Sequence, residues 1–140
     1  MDENKPNFVE FRGFGSRVGS KYIGITGGGA ISFYSGFYKS KKIANFSKCL
    51  IMYDAKLKLV ACKFGNDELG DGTFPINHND NQTAWISASN FFRLNPKLEL
   101  SDVKGKYEPK RYDDGTNSVI YVIDLNKRIE ILRNMVKKEE

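Results

Sequence analysis

Apolar and polar positions alternate through most of this chain, and only in a few windows does the spacing lengthen to a helical period. Lys21–Thr26 and Ala30–Phe33 alternate around Gly27-Gly28-Gly29 and predict a hairpin. Phe8–Phe11 predicts a short strand before it. From Tyr34 to Asn45 the period changes: Phe37, Lys41 and Ala44 share one helical face, with Ser35 as the expected N-cap. Lys48–Tyr53 and Lys58–Phe64 predict a second hairpin, turning at Asp54–Leu57. Thr83–Ser87 predicts a strand, followed by a helical turn or two over Ser89–Leu94 that Asn95-Pro96 stops. Gly105–Tyr112 predicts a strand that Pro109 places at a sheet edge, with Asp113–Asn117 a turn and Ser118–Ile123 a strand. Leu125, Ile129, Leu132 and Val136 make one stripe, predicting an amphipathic helix from Lys127 to Lys138 capped by Asn126.

Read for order alone, both halves give strand, short helix, strand, turn, strand, and both hairpins open with Tyr-Asp, at Tyr53-Asp54 and Tyr112-Asp113. The expected fold class is therefore α+β: two β-α-β-β repeats forming antiparallel sheets, with the amphipathic helix at the C-terminus. The expected divisions are a basic half over residues 1–64, a linker rich in Asn, Asp and Gly over 65–82, and a second half with the helix over 83–140, packed as one domain.

Composition narrows the function. The chain has 140 residues, of which 40% are apolar and 18 are aromatic, enough to build a core and too many for a disordered chain. No apolar run nears the roughly 20 residues that span a bilayer, and no secretory leader stands at the start, so no membrane partner is expected. Two cysteines make no disulfide framework, which implies a reducing, cytoplasmic setting.

Charge is unevenly spread. Residues 1–70 carry 11 Lys and Arg against 6 Asp and Glu, whereas residues 71–140 carry 11 of each. Between Phe11 and Tyr53 there is no acidic residue, but there are seven cations (Arg12, Arg17, Lys21, Lys39, Lys41, Lys42 and Lys48) and nine aromatic residues. Cations attract phosphates and release counterions, and aromatic rings stack on unpaired bases. The expected partner is nucleic acid, DNA favoured, gripped by those seven cations together with Phe14 and Tyr22. A solvated basic surface is the plainer use of the same residues. Lys106, Lys110 and Arg111 form a second cationic group, diluted by Glu108, Asp113 and Asp114.

The repeat unit resembles the swapped-hairpin fold of AbrB- and MazE-type DNA-binding proteins. The likeness rests on Ile25-Thr26-Gly27-Gly28-Gly29-Ala30-Ile31-Ser32, which looks like their strand start after a basic loop, and on the helix, strand and turn-linked strand that follow. It spans about 40 residues in each half; the chain has Phe33 where the family has Pro, and Ser47-Lys48 where it has Gly-Asp. The resemblance implies DNA binding through Arg12, Arg17, Lys21 and the Lys39, Lys41 and Lys42 group.

Other chemistry finds little support. Gly27-Gly28-Gly29 is followed by Ala30-Ile31, where a P-loop needs Lys and Ser or Thr feeding a helix. The lone histidine, His78, has no second His or Cys near it in sequence, and Asp67, Glu68 and Asp71 lack calcium-loop spacing, so no metal and no cofactor are expected. With the turn centred on Ala55-Lys56, Cys49 and Cys62 are expected to face one another as two small buried side chains. Trp85 is expected in the core. No acid–base or nucleophile set stands out. The expected function is a non-enzymatic nucleic-acid-binding protein, with regulation of transcription or replication as its setting. The alternative is a small protein-interaction module whose basic face docks on an acidic partner, and self-association through the last helix is a second use of that stripe.

Overall fold

The computed structural model describes residues 21–129. The expected strand over Phe8–Phe11 and the candidate residues Arg12, Phe14 and Arg17 lie outside the described residues, as do residues 130–138 of the expected last helix.

The first strands are β1 (Ile23–Ile25) and β2 (Ala30–Phe33). Their turn is closed by Thr26 N–H donating to Ala30 O at 2.9 Å and Gly29 N–H donating to Thr26 O at 3.1 Å. Gly29 sits at φ 91, in the left-handed region that glycine enters without steric cost. A helix α1 (Ser35–Ser40) follows, with Tyr34 rather than Ser35 at its N-cap. It is shorter than its period suggested because Lys42 turns left-handed at φ 56, after which a 3-10 turn buries Ile43.

The long hairpin is β3 (Lys48–Asp54) and β4 (Leu59–Gly65). Asp54 Oδ1 accepts the N–H groups of Lys56 and Leu57, and Lys58 takes φ 58. The turn is four residues, as expected, but it lies one residue further along the chain, at Ala55–Lys58, so Cys49 pairs with Phe64 and Ile51 with Cys62. The cysteines are diagonal neighbours and not opposite ones.

Next come β5 (Phe74–Pro75), β6 (Asn77–His78), β7 (Ala84–Ser87), α2 (Ser89–Leu94) and α3 (Leu100–Val103). The chain ends its described course with β8 (Gly105–Tyr107), β9 (Lys110–Arg111) and β10 (Val119–Asp124). The turn between β6 and β7 repeats the first one: Asn79 N–H donates to Thr83 O at 2.8 Å and Gln82 N–H to Asn79 O at 3.1 Å, with Gln82 at φ 62 in the place of Gly29.

The strands build two five-stranded antiparallel sheets, in the orders β6-β7-β2-β1-β8 and β5-β3-β4-β10-β9. The α+β class with two β-α-β-β repeats and a terminal amphipathic helix is therefore corrected to a mostly β fold. Among the described residues the α-helices have six, six and four residues and fill gaps between strands. Where the last helix was expected to start, Asn126–Ile129 is a turn and extended chain, and Ile129 bridges Lys106.

Pairing alternates core and surface cleanly. Across the first sheet Ala84, Phe33, Ile23 and Tyr107 lie in one row and Ile86, Ile31 and Ile25 in the next, all buried. From the second sheet Val60, Cys62, Phe64, Tyr121 and Ile123 face them. Each such large side chain adds about 1.5–3 kcal/mol by leaving water. Phe33, Phe37 and Phe64 pack with ring centroids 5.0–6.1 Å apart. Two short bent segments join the sheets at their margins. Phe74–His78 passes from β3 to β7, and Gly105–Arg111 passes from β1 to β10, bending at Glu108-Pro109.

Candidate nucleic-acid interface

The bend at Glu108-Pro109 brings β9 beside α1. Phe37 anchors α1 in the core, its ring edge-on to Tyr121 at 5.0 Å, and this leaves Lys39, Lys41 and Lys42 exposed. The Lys41 ammonium lies 5.6 Å from the centroid of the Tyr121 ring. The Arg111 guanidinium lies 5.6 Å from the same centroid, and its Nη2 donates to Ser118 O at 2.9 Å. Each cation gains from the ring's negative face. A hollow of about 290 Å³ opens at the same edge, lined by Lys21, Tyr22, Phe37, Ser40, Lys41, Glu108 and Pro109. Lys21, Tyr22 and Lys41 thus meet, joined by Arg111 from far along the chain and by one carboxylate, Glu108.

A fourth cation stands on the outer face of the first sheet. Lys106 lies 5.3 Å over the ring of Tyr34. That ring covers Gly24, the cross-strand partner of Lys106, so closely that a β-carbon on Gly24 would sit 2.5 Å from the Tyr34 hydroxyl. Burial raises the Tyr34 hydroxyl pKa, so the ring stays neutral beside its lysine.

Lys48 is not part of this edge. It pairs with Pro75 across β3 and β5, and its ammonium meets Asp67 at 3.3 Å in an exposed ion pair. Such a pair contributes little to stability, yet it lowers the positive charge at that end of the hairpin. Lys39, in the last turn of α1, and Lys42, just past its end, are exposed, with no ring or carboxylate contact among the described residues.

Arg111 and Lys110 carried a weak signal in the sequence because Glu108, Asp113 and Asp114 surround them. Glu108 stays beside Lys21 and Lys41 in the hollow, whereas the two aspartates bond within their own turn. Asp113 Oδ1 accepts Gly115 N–H at 2.9 Å, and Asp114 Oδ1 accepts Thr116 N–H at 3.0 Å and the Thr116 hydroxyl. Those bonds from Thr116, hydroxyl first, hold the Asp114 carboxyl below its usual pKa. The acids are tied into their own turn. Trp85 also departs from expectation: Ile86 takes the inward place, and Trp85 stands half-buried on the outer face between Asn77 and Ser32.

The remaining candidates serve the fold. The Cys49 thiol pKa is pushed well up by its hydrogen bond with Cys62 and then by burial, which keeps it protonated and poorly nucleophilic. His78 Nε2 lies 2.9 Å from Phe46 O and its Nδ1 2.9 Å from the Tyr38 hydroxyl. The carbonyl can only accept, so Nε2 carries the proton and Nδ1 accepts from Tyr38. Among the described residues no three His, Cys, Asp or Glu side chains converge. No helix among them is long and apolar enough to cross a membrane. No family model matches the chain, and no curated protein or solved structure matches it.

Proposed function

We propose that this protein binds nucleic acid, holding phosphates along the edge where α1 meets β9. One observation carries the reading: Lys41 and Arg111, from distant parts of the chain, converge on the single ring of Tyr121. Lys21 and Tyr22 share the hollow that Lys41 lines. Like charges so placed repel one another, and a chain of phosphates running past them turns that repulsion into attraction. Tyr121 is nearly buried and serves as a rigid base that fixes where both cations point.

The test is fluorescence anisotropy of the full chain with labelled single-stranded and duplex oligonucleotides over a salt series. Binding that weakens log-linearly with salt is expected, with a slope near −0.7 per phosphate contact for a single strand and −0.9 for a duplex. Lack of binding to either at the lowest salt would overturn the reading and favour an acidic protein as the partner of the same face.

A further inference from the structure

We infer that the strand bound is unpaired, and that Tyr112 stacks on one of its bases at a groove on the outer face of the second sheet. This rests on the nucleic-acid reading above and adds the strandedness that the cationic edge leaves open. β9 lies at the margin of its sheet, so its side chains alternate around that margin. Arg111 is level with Tyr121 and turns towards α1, whereas Lys110 is level with Val122 and turns to the opposite face. The ladder runs one residue further, with Tyr112 N–H donating to Ile120 O at 2.9 Å, which returns Tyr112 to the face of Lys110.

That face carries a groove of about 430 Å³. Met52, Leu59, Ala61 and Val122 form its apolar floor, and Lys110 and Tyr112 stand at its side. Tyr112 is 52% exposed, and among the described residues it is the one aromatic side chain counted with the exposed large hydrophobic groups. An open ring beside an ammonium and over an apolar shelf suits a flat, uncharged base linked to a phosphate. The base gains the ring and the shelf; the phosphate gains Lys110 on one side of the margin and Arg111 on the other. The carboxylate at the groove's far end, Asp54, is engaged by the N–H groups of Lys56 and Leu57. Bases in a duplex have both faces covered by their neighbours and do not reach such a shelf. An unpaired base does.

The experiment compares the full-length wild type with Tyr112→Ala and Tyr112→Phe, using labelled single-stranded homopolymers and a duplex of equal length. A single-stranded probe carrying 2-aminopurine reports stacking directly through its quenching. Tyr112→Ala is expected to weaken single-strand binding roughly 5- to 150-fold, the span of one base–aromatic stack, and to abolish the quenching. Duplex affinity and the salt slope are expected to stay within about twofold, and Tyr112→Phe, which keeps the ring, to bind as wild type. Because Tyr112 is exposed, the variant folds; the fluorescence of Trp85 checks this. Unchanged single-strand binding in Tyr112→Ala overturns the inference while the nucleic-acid reading stands, as does equal loss on both probes. A change in oligomeric state by sedimentation, with single-strand affinity unmoved, assigns the groove to a second copy and overturns it too. If the wild type binds no oligonucleotide, the parent reading falls first.

Discussion

The Tyr38 hydroxyl lies 2.9 Å from His78 Nδ1, and this pair ties α1 to the segment that carries the chain between the two sheets. Tyr38 sits beside Phe37, and both are buried, so the hydrogen bond adds to the anchoring of α1 on the fold. Tyr38→Phe is expected to cost about 1 kcal/mol. His78→Ala, which also strips the Phe46 carbonyl of its donor, is expected to cost about 1–2 kcal/mol. Urea unfolding of the two variants and of the double variant measures this. The two losses are expected to sum to more than the double variant loses, because the interaction is shared.

Lys41 and Arg111 provide a charge test of the proposed interface. Lys41→Gln and Arg111→Gln are each expected to lower the salt slope of oligonucleotide binding by about 1 and to weaken binding on every sequence alike. Lys48→Gln is the control, since its ammonium is engaged by Asp67 at the other end of the hairpin; it is expected to leave the slope in place. A Lys48 effect equal to that of Lys41 would move the interface to the wrong end of the molecule.

The approach of Tyr34 to Gly24 leaves no room for a methyl group. Gly24→Ala is expected to displace the ring and cost about 1–3 kcal/mol in thermal or chemical unfolding. Adding Tyr34→Ala removes the clash, so the double variant is expected to be more stable than the sum of the single changes allows. Strict additivity would show that the two residues do not touch.

The Cys49 thiol gives a pH dependence. Its pKa is raised on folding by the hydrogen bond with Cys62 and by burial. The folded chain therefore holds the thiol proton more tightly than the unfolded chain does. This contribution is fully present below the ordinary thiol pKa of about 8.5 and is lost as pH rises beyond it towards the raised folded value. Stability measured from pH 7 to 10 is expected to fall less in Cys49→Ala than in the wild type, once the constant cost of the deleted thiol is set aside. Alkylation by iodoacetamide in the native protein is expected to be slow at both cysteines, which are fully buried. Rapid native labelling would contradict that burial.

Local spacing revealed part of this fold. The alternation at Lys48–Tyr53 and Lys58–Phe64 marks a real hairpin, and Pro109 does lie at a sheet edge, although the single strand expected over Gly105–Tyr112 is split there into β8 and β9 on two sheets. What it misplaced has a common cause. The register of β3 against β4 depends on Lys58 adopting a left-handed backbone, and the pairing of Ile31 with Ile86 joins distant segments that nothing local connects. The class was misjudged because short helical windows weigh as much as strands in a linear reading, whereas in space they only bridge them. Within the candidate interface, Lys21, Tyr22 and Lys41 stand out as cations and a ring in acid-free sequence. Arg111 and Tyr112 do not, because Glu108, Asp113 and Asp114 beside them in sequence dilute the signal, whereas in space the two aspartates accept N–H groups of their own turn.

The two bent segments at the sheet margins have a consequence for how these molecules meet one another. A partner chain seeking to add a strand by backbone pairing needs a long, straight run of unpaired amides. Among the described residues the marginal strands β5, β6, β8 and β9 are only two or three residues each, too brief to serve as templates themselves. Their brevity leaves the long strand β3, which β5 pairs only at Lys48 and Cys49, without a strand partner on that side along Leu50–Asp54, and that run is where strand addition would start.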